Sequence, residues 1–334
     1  MSEYENRGYI VVSDYLTPGS GDVSDALQEL IDENPNRTIY FPDGIYTISK
    51  PVMTPADPTR SVDLRLSNYA VIKAAECWDS DEAMIRLGGV HPYNSITIDG
   101  SNYALSGGII DGGGIADAVS VDSGRETKIY DVSIKHARVG IHIKHGANSG
   151  SSDCDIHNVN IVGTGGTDSV GVLLEGYDNT LTNMRIANVF RGIELKSAGN
   201  FLRNLHPLYT SDYTDYQESA AFYDHTGNNW YDNCYSDQFA VGFRTADNAA
   251  SVYDCCFCMW YSPKMERHTG FKSDGRFAST VKDCKIGFRG DGPAENVVLD
   301  AGAPGGRGVL DRLLTDESLL TDRAFEEYLV NGIR

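Results

Sequence analysis

The 334-residue chain has no run of about 18 apolar residues, so nothing in it reads as a membrane-spanning helix. Its seven cysteines hold a single Cys-x-x-Cys spacing, Cys255 to Cys258, with no second such pair to complete a zinc ribbon. Positive charge is scarce: 28 Lys and Arg against 47 Asp and Glu leave a formal net charge of −19. That field repels a nucleic-acid backbone and an anionic membrane, so neither is an expected partner. Low-complexity tracts are absent. The first ten residues, MSEYENRGYI, lack the basic-then-apolar order of a secretory leader. The expectation is a cytoplasmic protein, or a secreted one whose leader has been removed.

What the chain does have is glycine, 35 residues of it, above the usual share of about 7%. Glycine at that density favours many turns over long helices, and a 41% hydrophobic fraction still permits a core. A four-residue unit, apolar-x-Asn/Asp-apolar, recurs seven times. It is IYDV from Ile129, IHNV from Ile156, LTNM from Leu181, LRNL from Leu202, YDNC from Tyr231, VYDC from Val252 and VKDC from Val281. Its third residues are Asp131, Asn158, Asn183, Asn204, Asn233, Asp254 and Asp283, spaced 21 to 29 residues apart. Each unit leads to a second strand that opens on Gly140, Gly171, Gly192, Ala221, Gly242 or Gly270.

Period-two strands with turn residues at fixed corners, and no helix pattern between them, describe the coil of a solenoid. The fold expected is all-β, a right-handed parallel β-helix over residues 1–302. Stacked corners place Asn and Asp in one column, where their side chains tolerate left-handed backbone. That makes Asp131, Asp254 and Asp283 turn residues before they are calcium ligands. Cys234, Cys255 and Cys284 fall in the next column as small inward core residues, while Cys256 and Cys258 are expected to alternate outward. No metal or other cofactor is expected.

At the start, DVSDALQELIDEN (22–34) has helical apolar spacing behind Asp22, a plausible cap. A helix there, in a cap of about residues 20–50, would close the open end of a stack. At the other end TDESLLTDRAFEEYLV (315–330) reads as helical, within a C-terminal tail of 303–334. The order of helix, IYFPDGIYTIS (39–49) and GGIIDGGG (107–114) resembles the pectate-lyase-superfamily β-helix proteins. These include polysaccharide lyases, glycoside hydrolases, fructotransferases and phage tailspike depolymerases. The motifs cover about residues 20–115, and the coil pattern extends the likeness to about 302. The resemblance implies a carbohydrate-active protein whose partner is an oligo- or polysaccharide. The downstream motifs of polygalacturonases and the clustered aspartates of calcium-dependent pectate lyases are missing, so no family's catalytic residues carry over.

Aligning the Gly-led strands gives two outward columns. One holds His142, Leu173, Glu194, Tyr223, Arg244 and Lys272; the other holds Lys144, Glu175, Lys196, His225, Ala246 and Asp274. Glu175 and Glu194 become diagonal neighbours, about 7–8 Å apart. That overlaps the roughly 6.5–9.5 Å between acid and base in inverting glycosidases. The expected catalytic residues are therefore Glu194 and Glu175, with His225 and Arg244 beside them. In a lyase, Arg244 or Lys196 would neutralise a uronate while His225 or Tyr223 moves the proton. The plainer reading of Glu175 is an ion pair with Lys196.

Long corners add YTSDYTDYQES (209–219) and MWYSPKMERHT (259–269). Their aromatics and carboxylates suit sugar rings and hydroxyls. Tyr223, Lys196, Asp212, Asp215, Glu218, Trp260 and Tyr261 are the expected substrate-binding residues. The same residue types are enriched at subunit interfaces, which makes a homotrimer the competing expectation for this corner. A tailspike-like protein that binds glycan without cleaving it is the non-enzymatic alternative.

Overall fold

The computed structural model describes residues 8–88, 103–145, 151–210, 217–261, 266–288, 295–315 and 329–331. They fall into two compact units. Unit 1 comprises 1–164 and 175–179; unit 2 comprises 165–174 and 180–334.

Unit 1 begins with the helix Ser24–Glu33, which buries Leu27, Leu30 and Ile31. The cap position falls on Val23, not Asp22. Asp22 nevertheless accepts from the Ser24 amide at 3.0 Å and the Ser49 amide at 3.1 Å, tying the helix start to the chain just after the strand Gly44–Ile48. Three parallel ladders follow. Thr38–Phe41, Asp63–Leu66, Ala104–Ser106, Lys128–Tyr130 and Asp155–His157 pair in that order. Gly44–Ile48, Ala70–Ala74, Ile109–Asp111, Ser133–Ala137 and Asn160–Gly163 form the second. Val52–Met53, Ile85–Leu87, Val119–Val121 and Val139–Ile143 form the third. Three short strands per coil, each paired with its counterpart one coil on, are the parallel β-helix that the repeat predicts.

Unit 2 repeats the scheme. The Gly-led strands Val170–Leu174, Arg191–Leu195, Ala220–Asp224, Val241–Thr245, Arg267–Arg276 and Glu295–Ala303 make one parallel sheet. The corner-bearing strands, from Thr180–Ala187 to Val309–Asp311, make the other. Inward residues stack as they do in no isolated strand. Phe222, Phe243 and Phe271 lie face to face at 4.8 and 5.1 Å, and Tyr231 stacks on Tyr253 at 4.5 Å. Offset-stacked aromatics add about 0.5–1.5 kcal/mol per pair to their burial.

The corner column has the backbone it needs. Asp131, Asn158, Asn183, Asn204, Asn233 and Asp283 all have φ between 52° and 57°. In unit 1 Asn158 donates to the Asp131 carboxylate at 3.0 Å, and in unit 2 Asn204 donates to the Asn183 carbonyl at 2.7 Å. One position departs from the reading: Cys255, φ 54°, and not Asp254, takes the corner. The register explains it, since Tyr231 pairs with Tyr253 and Asp232 with Asp254, which leaves Cys255 opposite Asn233. The inward cysteine column is therefore Cys234, Cys256 and Cys284; Cys255 is exposed, and Cys256 and Cys258 are buried. At the C-terminus, residues 316–328 of the expected helix lie outside the described residues. Its two ends, Leu314–Thr315 and Leu329–Asn331, are strands.

The opening glycines answer a packing demand between the sheets. A Cβ on Gly192 would meet the Ala221 carbonyl and lie 2.7 Å from Pro207 Cβ. Gly192→Ala should therefore cost about 1–3 kcal/mol through overpacking, read as a lowered denaturant midpoint; an unchanged midpoint would contradict the close approach. His268 gives a second test. It is buried between the rings of Trp260 and Phe288, with Nδ1 3.1 Å from Asn296 Oδ1. Burial pushes its pKa down to about 4. The unfolded chain then binds the proton first, so stability present above pH ~6.5 drains away as pH falls toward 4, by about 3 kcal/mol in all. Replacing His268 with Phe should flatten that part of the stability–pH curve relative to the wild type.

Candidate functional site

The outward row of unit 2 keeps the expected register: Leu173, Glu194, Tyr223, Arg244, Lys272 and Asp300 pair in succession across the Gly-led sheet. Period-two alternation puts these side chains outside because Ile193, Phe222, Phe243 and Phe271 fill the inside. His225 follows Tyr223 by two residues on the same face. Its Nε2 lies 2.9 Å from Glu194 Oε1, and its ring lies 3.8 Å from that of Tyr223. The Tyr223 hydroxyl donates to Asp274 at 2.7 Å. Arg244 donates to Asp274 at 2.8 Å and to Glu218 at 2.9 Å, with its guanidinium 4.5 Å over the Tyr223 ring. Arg191 sits 5.4 Å over the same ring and donates to the Glu218 carbonyl. Lys272 completes the group, 3.3 Å from Glu218. Lys196 is exposed at the end of the Glu194 strand.

The electrostatics follow from these contacts. Burial would raise the Glu194 pKa, but the His225 hydrogen bond and the charges of His225, Lys196 and Arg191 outweigh it and hold the carboxyl below its usual range. An ionised carboxylate only accepts, so His225 Nε2 carries the proton in the pair. In neutral imidazole that leaves the Nδ1 lone pair as the basic position. Tyr223 goes the other way: burial first, then the bond to Asp274, push its phenol up to about 12. It is a proton donor at neutral pH. Arg191 is lowered by burial and by the neighbouring Arg244, the mark of two guanidiniums crowded together.

Two cations in direct register, Arg244 and Lys272, repel each other. Glu218, 57% exposed at its side chain, relieves that by bridging both. The site is thus a half-buried patch in which Arg191, Lys196, Arg244 and Lys272 are interleaved with the carboxylates of Glu194, Glu218, Asp274 and Asp300, on a chain of net charge −19. It offers one histidine base position, one tyrosine donor and two arginines that face an anion.

Several expected residues are placed differently. Glu175 belongs to unit 1, where it lies 3.0 Å from His142 Nε2, so each glutamate has its own histidine. Glu194, held low, is unsuited to the acid half of an acid–base pair of glutamates. Trp260 is no sugar platform: it is 1% exposed, and its indole donates to the Phe239 carbonyl at 2.7 Å. Strand Phe257–Trp260 runs through it and turns the ring into the core. Tyr261 is exposed but meets Tyr235, hydroxyl to hydroxyl at 3.4 Å, on the other sheet of the unit. Asp212 and Asp215 lie outside the described residues. Arg191 was not expected; its only sequence signal is that it precedes Gly192 by one residue. Among the described residues, no group of three or more His, Cys, Asp or Glu is gathered as metal ligands.

No protein-family model matches the chain, and no curated protein sequence matches it. Solved structures do. The tailspike protein of E. coli bacteriophage HK620, in complex with a pentasaccharide, is similar at 12% identity with a TM-score of 0.71, over 92% of this chain and 62% of the tailspike. The alginate lyase from Paenibacillus sp. str. FPU-7 is similar at 13% identity with a TM-score of 0.62, over 84% of this chain and 97% of the lyase. Both are parallel β-helix proteins of the pectate-lyase-like superfamily, and at such identities the likeness is one of fold. The chain spans less than two thirds of the tailspike's length.

The geometry makes a spectroscopic prediction. Asp274→Asn removes the acceptor that stabilises the protonated phenol, so Tyr223 should titrate below the wild-type value of about 12. NMR of ring-labelled tyrosine checks it; an unmoved titration would mean that Asp274 does not hold the hydroxyl.

Proposed function

We propose that the protein is a carbohydrate-active enzyme that cleaves an acidic polysaccharide by β-elimination at the Glu194–His225–Tyr223 row. The observation that carries this reading is the Glu194–His225 pair at 2.9 Å beside a tyrosine flanked by Arg191 and Arg244. The tailspike solved with a pentasaccharide and the alginate lyase lend support from the shared fold.

Elimination next to a uronate carboxylate needs three things, and the row supplies each. The carboxylate must be neutralised so that the adjacent C–H becomes acidic. Arg244 can do this with Arg191, in the place where the Glu218 carboxylate now stands. A base must take the C–H proton: His225 Nδ1, with Glu194 fixing the tautomer and stabilising the imidazolium that forms. The glycosidic C–O bond then breaks as the C=C bond forms, and the leaving oxygen takes the Tyr223 hydroxyl proton. Positioned proton transfer of this kind contributes about 10²–10⁴ in rate.

Hydrolysis is the second reading, favoured by the ionised Glu194. That carboxylate would activate water, and a protonated His225 would serve the leaving group. Glycan binding without cleavage is the third, and it predicts saturable binding with no product. The assay separates them: elimination gives an unsaturated uronate with new ultraviolet absorbance, hydrolysis gives reducing ends without it, and binding gives neither.

Glu194→Gln should lower kcat by about 10²–10³ while the far-ultraviolet circular dichroism stays that of the wild type. Full turnover by a folded Glu194→Gln protein would remove Glu194 from the mechanism.

A further inference from the structure

A second cluster lies on the other sheet of unit 2 and takes no part in the reaction described above. Tyr235 pairs with Phe257 on the next coil, their rings 4.9 Å apart. The His206 ring stacks on the other face of Tyr235 at 4.3 Å, with its Nε2 3.3 Å from Asp237 Oδ2. Tyr261 closes the group, half exposed, its hydroxyl against that of Tyr235.

Two observations set this strip apart from an ordinary ladder of outward rings. Asp237 and Gln238 are 91% and 93% buried, and one oxygen of each, Asp237 Oδ1 and Gln238 Oε1, accepts no hydrogen bond. Most buried polar groups find a partner, and an orphaned one costs about 1–3 kcal/mol. Gln238 also sits at φ 64°, a left-handed conformation that Asn or Gly adopts more readily, so the chain keeps a strained residue where it keeps an unpaired acceptor. Burial, with Tyr261 and Asp237 beside it, holds the Tyr235 phenol protonated far beyond its ordinary range, so its hydroxyl remains a donor.

Aromatic faces and a hydroxyl donor beside the Asp237 carboxylate, with a second unpaired acceptor on the next residue, Gln238, are the chemistry that recognises a sugar ring through its apolar face and its hydroxyls. With one carboxylate and one histidine, the cluster lacks the arginines and lysines of the Glu194 row. We propose that His206, Tyr235, Asp237, Gln238 and Tyr261 form a second, non-catalytic saccharide-binding site that takes neutral sugar units. It rests on the carbohydrate-active reading but engages different residues and a different sheet. Binding here would hold a polymer on the protein while the Glu194 row acts, adding avidity without a new catalytic group.

The test uses the full chain on a microarray of neutral hexose oligosaccharides and oligouronates, followed by titration of the glycans retained. Two variants are compared with the wild type. Tyr261→Ala removes the exposed ring. Gln238→Gly removes the unpaired acceptor and relieves the strained φ, so a purely structural role predicts a higher melting temperature with binding unchanged. The proposal predicts at least a 10-fold loss of affinity for neutral oligosaccharides in both variants, with oligouronate turnover as in the wild type. Gln238→Gly should show that loss despite equal or greater stability. Wild-type binding of neutral glycans by both variants overturns the second site and leaves the proposed reaction standing. Loss of neutral-glycan binding together with full turnover by Glu194→Gln supports the second site and sinks the reaction. A wild-type protein that retains no glycan on the array overturns both.

Discussion

Parallel strands pair residue for residue, so each side chain in these coils sits about 4.8 Å from its counterpart one coil away. Whatever occupies a column must tolerate its neighbours in the same column. Inside unit 2 that constraint selects stacked rings, Phe222 on Phe243 on Phe271. At the corner it selects residues that accept a positive φ and bond to the next copy, as Asn204 does to Asn183. Between the sheets it selects glycine, because a Cβ at Gly192 or Gly242 would collide with the facing strand. On the outside the constraint is electrostatic. Arg244 directly over Lys272 is a like-charge pair, relieved by Glu218, which bridges both, and by Asp274 on Arg244. The same arrangement suits an anion, since a substrate carboxylate could take over the role of Glu218 while that half-exposed carboxylate turns to water, leaving neither Arg244 nor Lys272 unpaired.

That substitution would reconcile a chain of net charge −19 with the acidic ligand proposed. At physiological salt, charges on exposed groups fade over about 8 Å, so the groups of the row itself weigh more on a ligand there than the distant acidic surface does. Arg191 and Arg244 flank one tyrosine, and burial and the charge of Arg244 depress Arg191. Such crowding is costly when the site is empty, and a bound carboxylate offsets it.

Much of this was legible in the residues. The recurring Asn/Asp corners and Gly-led strands gave the coil, and period two put Glu194, Tyr223, Arg244 and Lys272 in one row, because both signals are local. The errors share a cause: each needed a register that only the neighbouring coil sets. Asp254 and Cys255 are both plausible corner residues until Tyr253 is aligned with Tyr231, which hands the corner to Cys255. Trp260 looks like an exposed loop aromatic until the strand Phe257–Trp260 is paired with Lys285–Phe288 and the ring turns inward. The bridge from Glu218 to Arg244 and Lys272 joins a corner to two later strands across 26 and 54 residues, a separation no spacing rule reaches. Glu175 and Glu194 were set beside each other on coil geometry alone, which could not show the histidine that holds each, His142 one coil back from Glu175 and His225 one coil on from Glu194.

The central claim is that an acidic sugar displaces Glu218 over the Glu194–His225–Tyr223 row. The measurement that meets it most directly is a crystal structure of the His225→Ala protein with an oligouronate bound. The account predicts a sugar carboxylate on Arg244 and Arg191, Glu218 withdrawn from Arg244 and Lys272, and the glycosidic oxygen within hydrogen-bond reach of the Tyr223 hydroxyl. An oligouronate bound elsewhere, with Glu218 still bridging Arg244 and Lys272, would contradict it.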